Sequence, residues 1–210
     1  MPVLNKILEH KIVAIIRGAE PGDVIKIINA LYDGGISVLE ITMNSPDALS
    51  VIEKINKEAG NKLLIGAGTV LDAKTAKDAI AAGAKFIISP SFDPDTIITT
   101  KKYGAVSIPG AFTATEILAA YKAGGDIIKI FPASVGVQYI KDIRGPLPHI
   151  RLMPTGGINL ENIGSYFKAG AVAAGIGSAL VDTSKQITKD YLQDLKNKAE
   201  KFVEAVADFK

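Results

Sequence analysis

The chain has 210 residues, 48% of them hydrophobic, which suffices for one substantial core and reads most simply as a single domain over residues 1–210. Net charge is +2, with basic and acidic residues mixed along the sequence, so no basic face marks a nucleic-acid or membrane surface. Cysteine is absent, which excludes disulfides, thiolate chemistry and cysteine metal sites; with no long apolar run and no charged-then-apolar leader, a cytoplasmic location is expected.

His10 ends a short N-terminal amphipathic stretch, read as a helix, and an apolar run follows at 12–16. Gly34, Gly60, Gly83, Gly104, Gly124, Gly145 and Gly170 then recur at gaps of 20 to 26 residues, the length of one helix plus one strand. Most of them close a helix-like stretch, as a left-handed cap does, and most precede a short apolar run. Those runs are 36–41, 63–65, 85–88, 105–108, 127–130, 150–153 and 172–176, which with 12–16 make eight expected strands. A last helix over about 189–209 aligns Leu192, Leu195, Ala199, Phe202 and Val206 on one stripe. Eight strand–helix units with near-continuous apolar strands point to an α/β fold, a (β/α)8 TIM barrel with a short N-terminal helix. An open doubly wound sheet is the structural alternative.

In such a barrel, chemistry is expected at the carboxyl ends of the strands. Arg17 ends the first strand, Glu40 and Thr42 the second, Ser89 the fourth and Lys129 the sixth; Thr69 follows the third and Thr155 the seventh. Period-two alternation puts Val13, Ile15 and Arg17 on one face, as it does Val38, Glu40 and Thr42, and Ile127, Lys129 and Phe131. Three ionisable groups, Arg17, Glu40 and Lys129, are thus expected to converge. A lysine in an apolar strand is either ion-paired or desolvated into a nucleophile able to form a Schiff base. The cluster therefore reads as a structural salt-bridge network, or as a nucleophile, a proton-transfer carboxylate and an anion-binding group.

Two glycine-rich segments complete the expected mouth, 154–158 (PTGGI) and 175–180 (GIGSAL). Main-chain N–H groups at Gly156, Gly157 and Gly177, and a helix beginning at Gly177–Ser178, suit a phosphate, and the loops after strands seven and eight are its usual place in this fold. Tight turns needing positive φ explain single glycines equally well. His10 and His149 lie far apart outside any ligand motif and read as structural, so no metal and no cofactor are expected.

The sequence resembles the class I aldolases for 2-keto-3-deoxy-6-phosphogluconate (KDPG) and 4-hydroxy-2-oxoglutarate (KHG). The likeness rests on 12–18 (IVAIIRG), 39–46 (LEITMNSP), 66–71 (GAGTVL), 88–90 (ISP), 109–116 (PGAFTATE), 128–132 (IKIFP), 154–158 and 175–180 in this order. It implies a homotrimeric (β/α)8 barrel that cleaves a phosphorylated 2-keto acid into pyruvate and glyceraldehyde 3-phosphate. Lys129 matches the Schiff-base lysine and Glu40 the proton-transfer carboxylate. Arg17 and Thr69 match positions near the pyruvyl carboxylate, and Phe131 matches an aromatic packed on the pyruvyl group. Thr155, Gly156, Gly157, Gly177 and Ser178 match the phosphate loops, while Asn44, Ser89 and Pro90 fall in matching substrate-contact motifs. Asn44 stands where some relatives carry an arginine, and the Asn-Ser-Pro run is more like the phosphogalactonate-cleaving relatives, which leaves C4 stereochemistry open. Competing readings are a phosphate-binding isomerase or epimerase, which needs no lysine at the end of strand six, and a non-catalytic ligand-binding barrel.

Overall fold

Nine short strands and nine α-helices, alternating except where β6 follows β5 directly, make up the computed structural model, which describes residues 2–60 and 62–209. The expected domain limits Met1 and Lys210, and Asn61, lie outside the described residues. In chain order the elements are α1 (Val3–His10), β1 (Ile12–Ile16), α2 (Pro21–Asp33), β2 (Val38–Thr42), α3 (Ala48–Ala59) and β3 (Leu64–Gly68). Next come α4 (Ala73–Ala81), β4 (Phe86–Ile88), α5 (Pro94–Lys102), β5 (Val106–Ile108), β6 (Gly110–Ala111), α6 (Ala114–Lys122) and β7 (Ile128–Ile130). The chain ends with α7 (Val137–Arg144), β8 (Leu152–Pro154), α8 (Ile163–Lys168), β9 (Ala174–Ile176) and α9 (Lys189–Val206).

Every strand pair is parallel. Six strands form a curled sheet in the order β5-β4-β3-β2-β1-β9, and three form a second in the order β6-β7-β8. Only Pro109, with no N–H to donate, separates β5 from β6; the strand expected over 105–108 is β5, and the two-residue β6 beyond the proline was not expected. At the other side a Thr155–Gly175 bridge joins the end of β8 to β9, and the Val172 N–H donates to the Leu152 carbonyl at 3.0 Å.

The glycine punctuation has a specific local cause. After α2 the Gly35 N–H bonds the Tyr32 carbonyl and the Ile36 N–H bonds the Leu31 carbonyl, the two bonds of a Schellman cap. The same pair recurs at Gly83, Gly104, Gly124 and Gly170, all with positive φ. The left-handed residue after α2 is Gly35, not Gly34, and Gly145 stays right-handed at φ −51°. Because Ile36 belongs to that cap, β2 begins at Val38 and not at 36. β1 falls at 12–16 as expected; the other strands differ from expectation by one to three residues at an end, and α9 stops at Val206, short of 209.

Packing separates into two layers. Helices cover the outer face of the sheets through Ile12, Ala14, Ile16, Leu39, Ile41 and their neighbours. A second cluster takes inner-face residues from strand after strand: Val13, Val38, Leu64, Phe86, Ile88, Val106, Ile108, Ile127 and Met153. Ile7 of α1 is fully buried in this inner cluster, so α1 covers the end where the strands begin. The apolar filling of that end leaves the carboxyl ends of the strands for polar groups.

Candidate active site

Above the inner apolar layer, the next inward positions are polar. Glu40 on β2 pairs in register with Ile15 of β1 and Gly66 of β3, and it is 1% exposed. Lys129 on β7 pairs with Gly110 and Met153 and is 4% exposed. Neither Glu40 carboxylate oxygen has a hydrogen-bond partner, and among the described residues no ion pair holds Lys129. The sequence-level alternative of a salt-bridge network filling the interior is therefore not what the side chains form. The ammonium instead lies 4.8 Å from the centroid of the Phe131 ring, within cation–π range.

Desolvation controls both charges. Burial pushes the Lys129 ammonium down from its ordinary range; Glu40 opposes that shift and Arg17 adds to it. Burial likewise raises the Glu40 carboxyl, against the smaller opposing pull of Lys129 and Arg17. A lysine made easier to deprotonate and a carboxyl made easier to protonate form a pair suited to exchanging protons.

Lys129 opens onto a cavity of about 600 Å³ whose wall includes Ile15, Arg17, Phe131, Thr155, Gly156, Gly157, Gly177 and Ser178. Lys129, Arg17, Phe131 and the five glycine-rich-loop residues expected from sequence are thus brought together. Thr155 is 4% exposed and its hydroxyl oxygen has no hydrogen-bond partner, although its N–H and C=O are used by Ile130 and Ala133. Gly156 and Gly157 both take positive φ, 88° and 78°, which only glycine adopts readily. Phe131 is 40% exposed and lines the cavity.

One expectation is corrected, and five residues expected at the site, Glu40 among them, do not line this cavity. No helix begins at Gly177–Ser178: Leu180 and Val181 N–H groups both return to the Gly177 carbonyl, and the chain then leaves in an irregular segment. Thr69 and Asn44 line a neighbouring cavity of about 410 Å³, not the one at Lys129. Ser89 and Pro90 line neither; the Ser89 N–H continues the ladder to Ile108, and Pro90 backs onto Gly110. Asn44 nonetheless touches the first cavity indirectly, since its Oδ1 accepts from Arg17 Nη1 at 3.3 Å.

Sequence reasoning did not pick out Asn159 or the segment Asp182, Thr183 and Ser184 on the same wall. It also passed over Gly66 and Gly68 as structural necessities. A Cβ on Gly68 would overlap the Glu40 carboxylate and one on Gly66 the Phe86 ring. Two glycines in one strand were the available signal of such close approach. His10 bonds Ser37 Oγ at 3.2 Å and His149 stacks edge-on to Tyr121, so both histidines have structural partners away from the cavity. Among the described residues no acidic or histidine cluster could hold a metal ion, and no helix is long and apolar enough to cross a membrane.

Residues 3–197 match the family described as KDPG and KHG aldolase. A 2-dehydro-3-deoxy-6-phosphogalactonate aldolase from Escherichia coli (strain K12) is 36% identical over 180 residues, spanning 85% of this chain and 88% of that protein. A 2-dehydro-3-deoxy-phosphogluconate aldolase from Treponema pallidum (strain Nichols) is 36% identical over 173 residues, 81% of this chain and 82% of its own. Among solved structures, a KDPG aldolase from Legionella pneumophila with pyruvate captured at low pH as a covalent carbinolamine intermediate has a TM-score of 0.82 at 28% identity, covering 100% of this chain and 98% of that one. A match of this extent to relatives covered over most of their own length means that the chain belongs to the KDPG and KHG aldolase family and is a carbon–carbon lyase.

Proposed function

We propose that this enzyme is a class I aldolase that cleaves 2-keto-3-deoxy-6-phosphogluconate or its galactonate epimer into pyruvate and glyceraldehyde 3-phosphate. 4-Hydroxy-2-oxoglutarate, split to pyruvate and glyoxylate, is a lesser substrate on this reading. The observation that carries it is the buried Lys129, which lines the cavity without an ion pair, with the unpartnered, buried Glu40 near enough to act on its charge. The Lys129 amine attacks the C2 ketone, and loss of water leaves a protonated imine as electron sink. Glu40 takes the C4 hydroxyl proton, directly or through a water, as the C3–C4 bond breaks and its electron pair enters the enamine. Protonation at C3 and hydrolysis of the imine then release pyruvate and free Lys129.

Around this pair Arg17 supplies a cation for the substrate carboxylate, held by Asn44, and the Phe131 face packs on the pyruvyl group. Gly156, Gly157, Gly177 and Ser178 cradle the phosphate through backbone N–H groups and one hydroxyl, with the free Thr155 hydroxyl beside them. Thr69, Ser89 and Pro90 carry no step. The reading includes one closed (β/α)8 domain, with β5 and β6 counted as one strand about Pro109; the Thr155–Gly175 bridge and the inner ring of apolar residues support closure. It also takes the enzyme as a cytoplasmic homotrimer, in keeping with the family resemblance.

Intact-protein mass after pyruvate and borohydride tests the proposal. A pyruvyl adduct is expected on wild type and not on Lys129→Ala; no adduct on wild type would overturn Schiff-base chemistry. With turnover established, kcat/KM is expected to be much larger for the two phosphorylated epimers than for 4-hydroxy-2-oxoglutarate, and equal values would remove the phosphate role of the glycine loops.

A further inference from the structure

One peptide group in the cavity wall is held at both of its polar atoms by side-chain hydroxyls. The peptide joins Arg17 to Gly18, where β1 has ended and Gly18 turns to φ 68°. Its carbonyl accepts from Thr183 Oγ1 at 2.6 Å, across 166 residues of sequence. Its N–H donates to Ser45 Oγ at 2.8 Å. Ser45 Oγ is in turn bonded to Thr42 Oγ1 at 2.9 Å, on the fully buried last residue of β2. The Ser45 N–H also returns to the Thr42 carbonyl.

An exposed loop peptide ordinarily satisfies its N–H and C=O with water. Here two hydroxyls from distant segments take that place, one anchored to β2 and one on the segment after β9 that lines the Lys129 cavity. The side chain carried by this peptide is the Arg17 guanidinium, a cation close enough to Lys129 and Glu40 to act on the charge of both. A long, flexible side chain points a charge reproducibly only if its own Cα is fixed. Other groups around the corner are Asn44, which accepts from the guanidinium, and Asp182, whose carboxylate is taken up by Ser184 and Lys185 and so does not compete for Arg17.

We infer that Ser45 and Thr183 are positioning residues that clamp the Arg17–Gly18 peptide and so hold the Arg17 cation over the carboxylate end of the substrate. The inference rests on the Schiff-base reading above and deepens it. It also ties the segment at the phosphate end of the cavity to the group at the carboxylate end, since Thr183 belongs to the first and grips the second.

The test titrates pyruvate in the borohydride trap and reads the half-saturating concentration and the limiting trapping rate for the full-length enzyme. Ser45→Ala and Thr183→Val should each raise the half-saturating concentration about fivefold, the worth of one net hydrogen bond, with the limiting rate within about twofold. Thr183→Ser, which keeps the hydroxyl, should return it to the wild-type value. Made in an Arg17→Gln background, neither substitution should add to the effect of losing the guanidinium, because positioning has nothing left to position. Effects that multiply with Arg17→Gln would overturn the clamp and leave the Schiff base standing. No adduct on wild type would instead strike the Schiff-base reading and take the clamp with it.

Discussion

Lys129 and Glu40 are placed against their own electrostatic interest, and that is where the residue scale is most informative. A buried carboxylate without a single hydrogen bond is a destabilising group, tolerated where it has a task. Because burial raises the Glu40 carboxyl above its ordinary 4.5, the folded chain binds that proton more tightly than the unfolded chain. Stability from this group is complete below about pH 4.5 and is lost as pH rises through the folded-state value. Glu40→Gln removes the loss, so the variant's advantage over wild type should grow, to about 1–2 kcal/mol, as pH rises above 4.5 in urea unfolding. The same change should lower kcat by about 10²- to 10⁴-fold with a small effect on KM, as for removal of a general base. A stabilised variant with unchanged kcat would leave Glu40 buried for no chemical reason. Both residues were legible in the sequence, since period two fixes the face of a strand and a charged residue on an inward face stands out. Their lack of partners was not legible, because pairing depends on where Arg17 and Asn44 sit in three dimensions. Thr69 shows the same limit: its place after β3 was readable, but φ 55° turns it toward the neighbouring cavity.

At the scale of elements, the strand–helix order was readable because glycine caps and apolar runs are local features. The boundaries shifted where backbone hydrogen bonding overrode composition. Ile36 is apolar enough for a strand yet closes the cap of α2, and the run expected to end at 108 is followed across Pro109 by the short β6. The segment after β9 contains Gly-Ser and so reads as a helix start, but it makes one turn and spends its polar groups on Arg17 and on its own carboxylate. Strand β3 carries a less visible constraint, because Gly66 and Gly68 exist to admit Phe86 and Glu40. Gly68→Ala should therefore force the Glu40 side chain out of place, costing about 1–3 kcal/mol by overpacking and most of kcat. Gly22→Ala is the control: on α2, with nothing within 4 Å of the new Cβ, it should stabilise by about 0.5–1 kcal/mol and leave kcat alone. Equal effects of the two substitutions in urea unfolding and initial rates would mean that close approach at Gly68 is not what selects glycine there.

Over the whole molecule, apolar filling and chemistry occupy opposite ends of the same strands. Val13 and Val38 lie two residues before Ile15 and Glu40 on their strands, and Ile127, just ahead of β7, two before Lys129, so each of these segments delivers an apolar residue to the layer below and a site residue to the layer above. Helix α1 completes the lower end by pressing Ile7 into the inner apolar cluster, and none of its residues lines the cavity. This division assigns stability and function to separable layers. Ile7→Ala should remove buried methyl groups from a site that collapses poorly, costing about 2–5 kcal/mol in urea unfolding. Its kcat and KM at a temperature where the variant is fully folded should match wild type within about twofold. The contrast with Glu40→Gln is the point of the experiment, since that variant should be more stable and far slower. If Ile7→Ala lowered kcat in step with stability, the inner layer would have to transmit the position of α1 to Lys129. The two ends of the strands would then form one mechanical unit, and the apolar layer would belong to the active site.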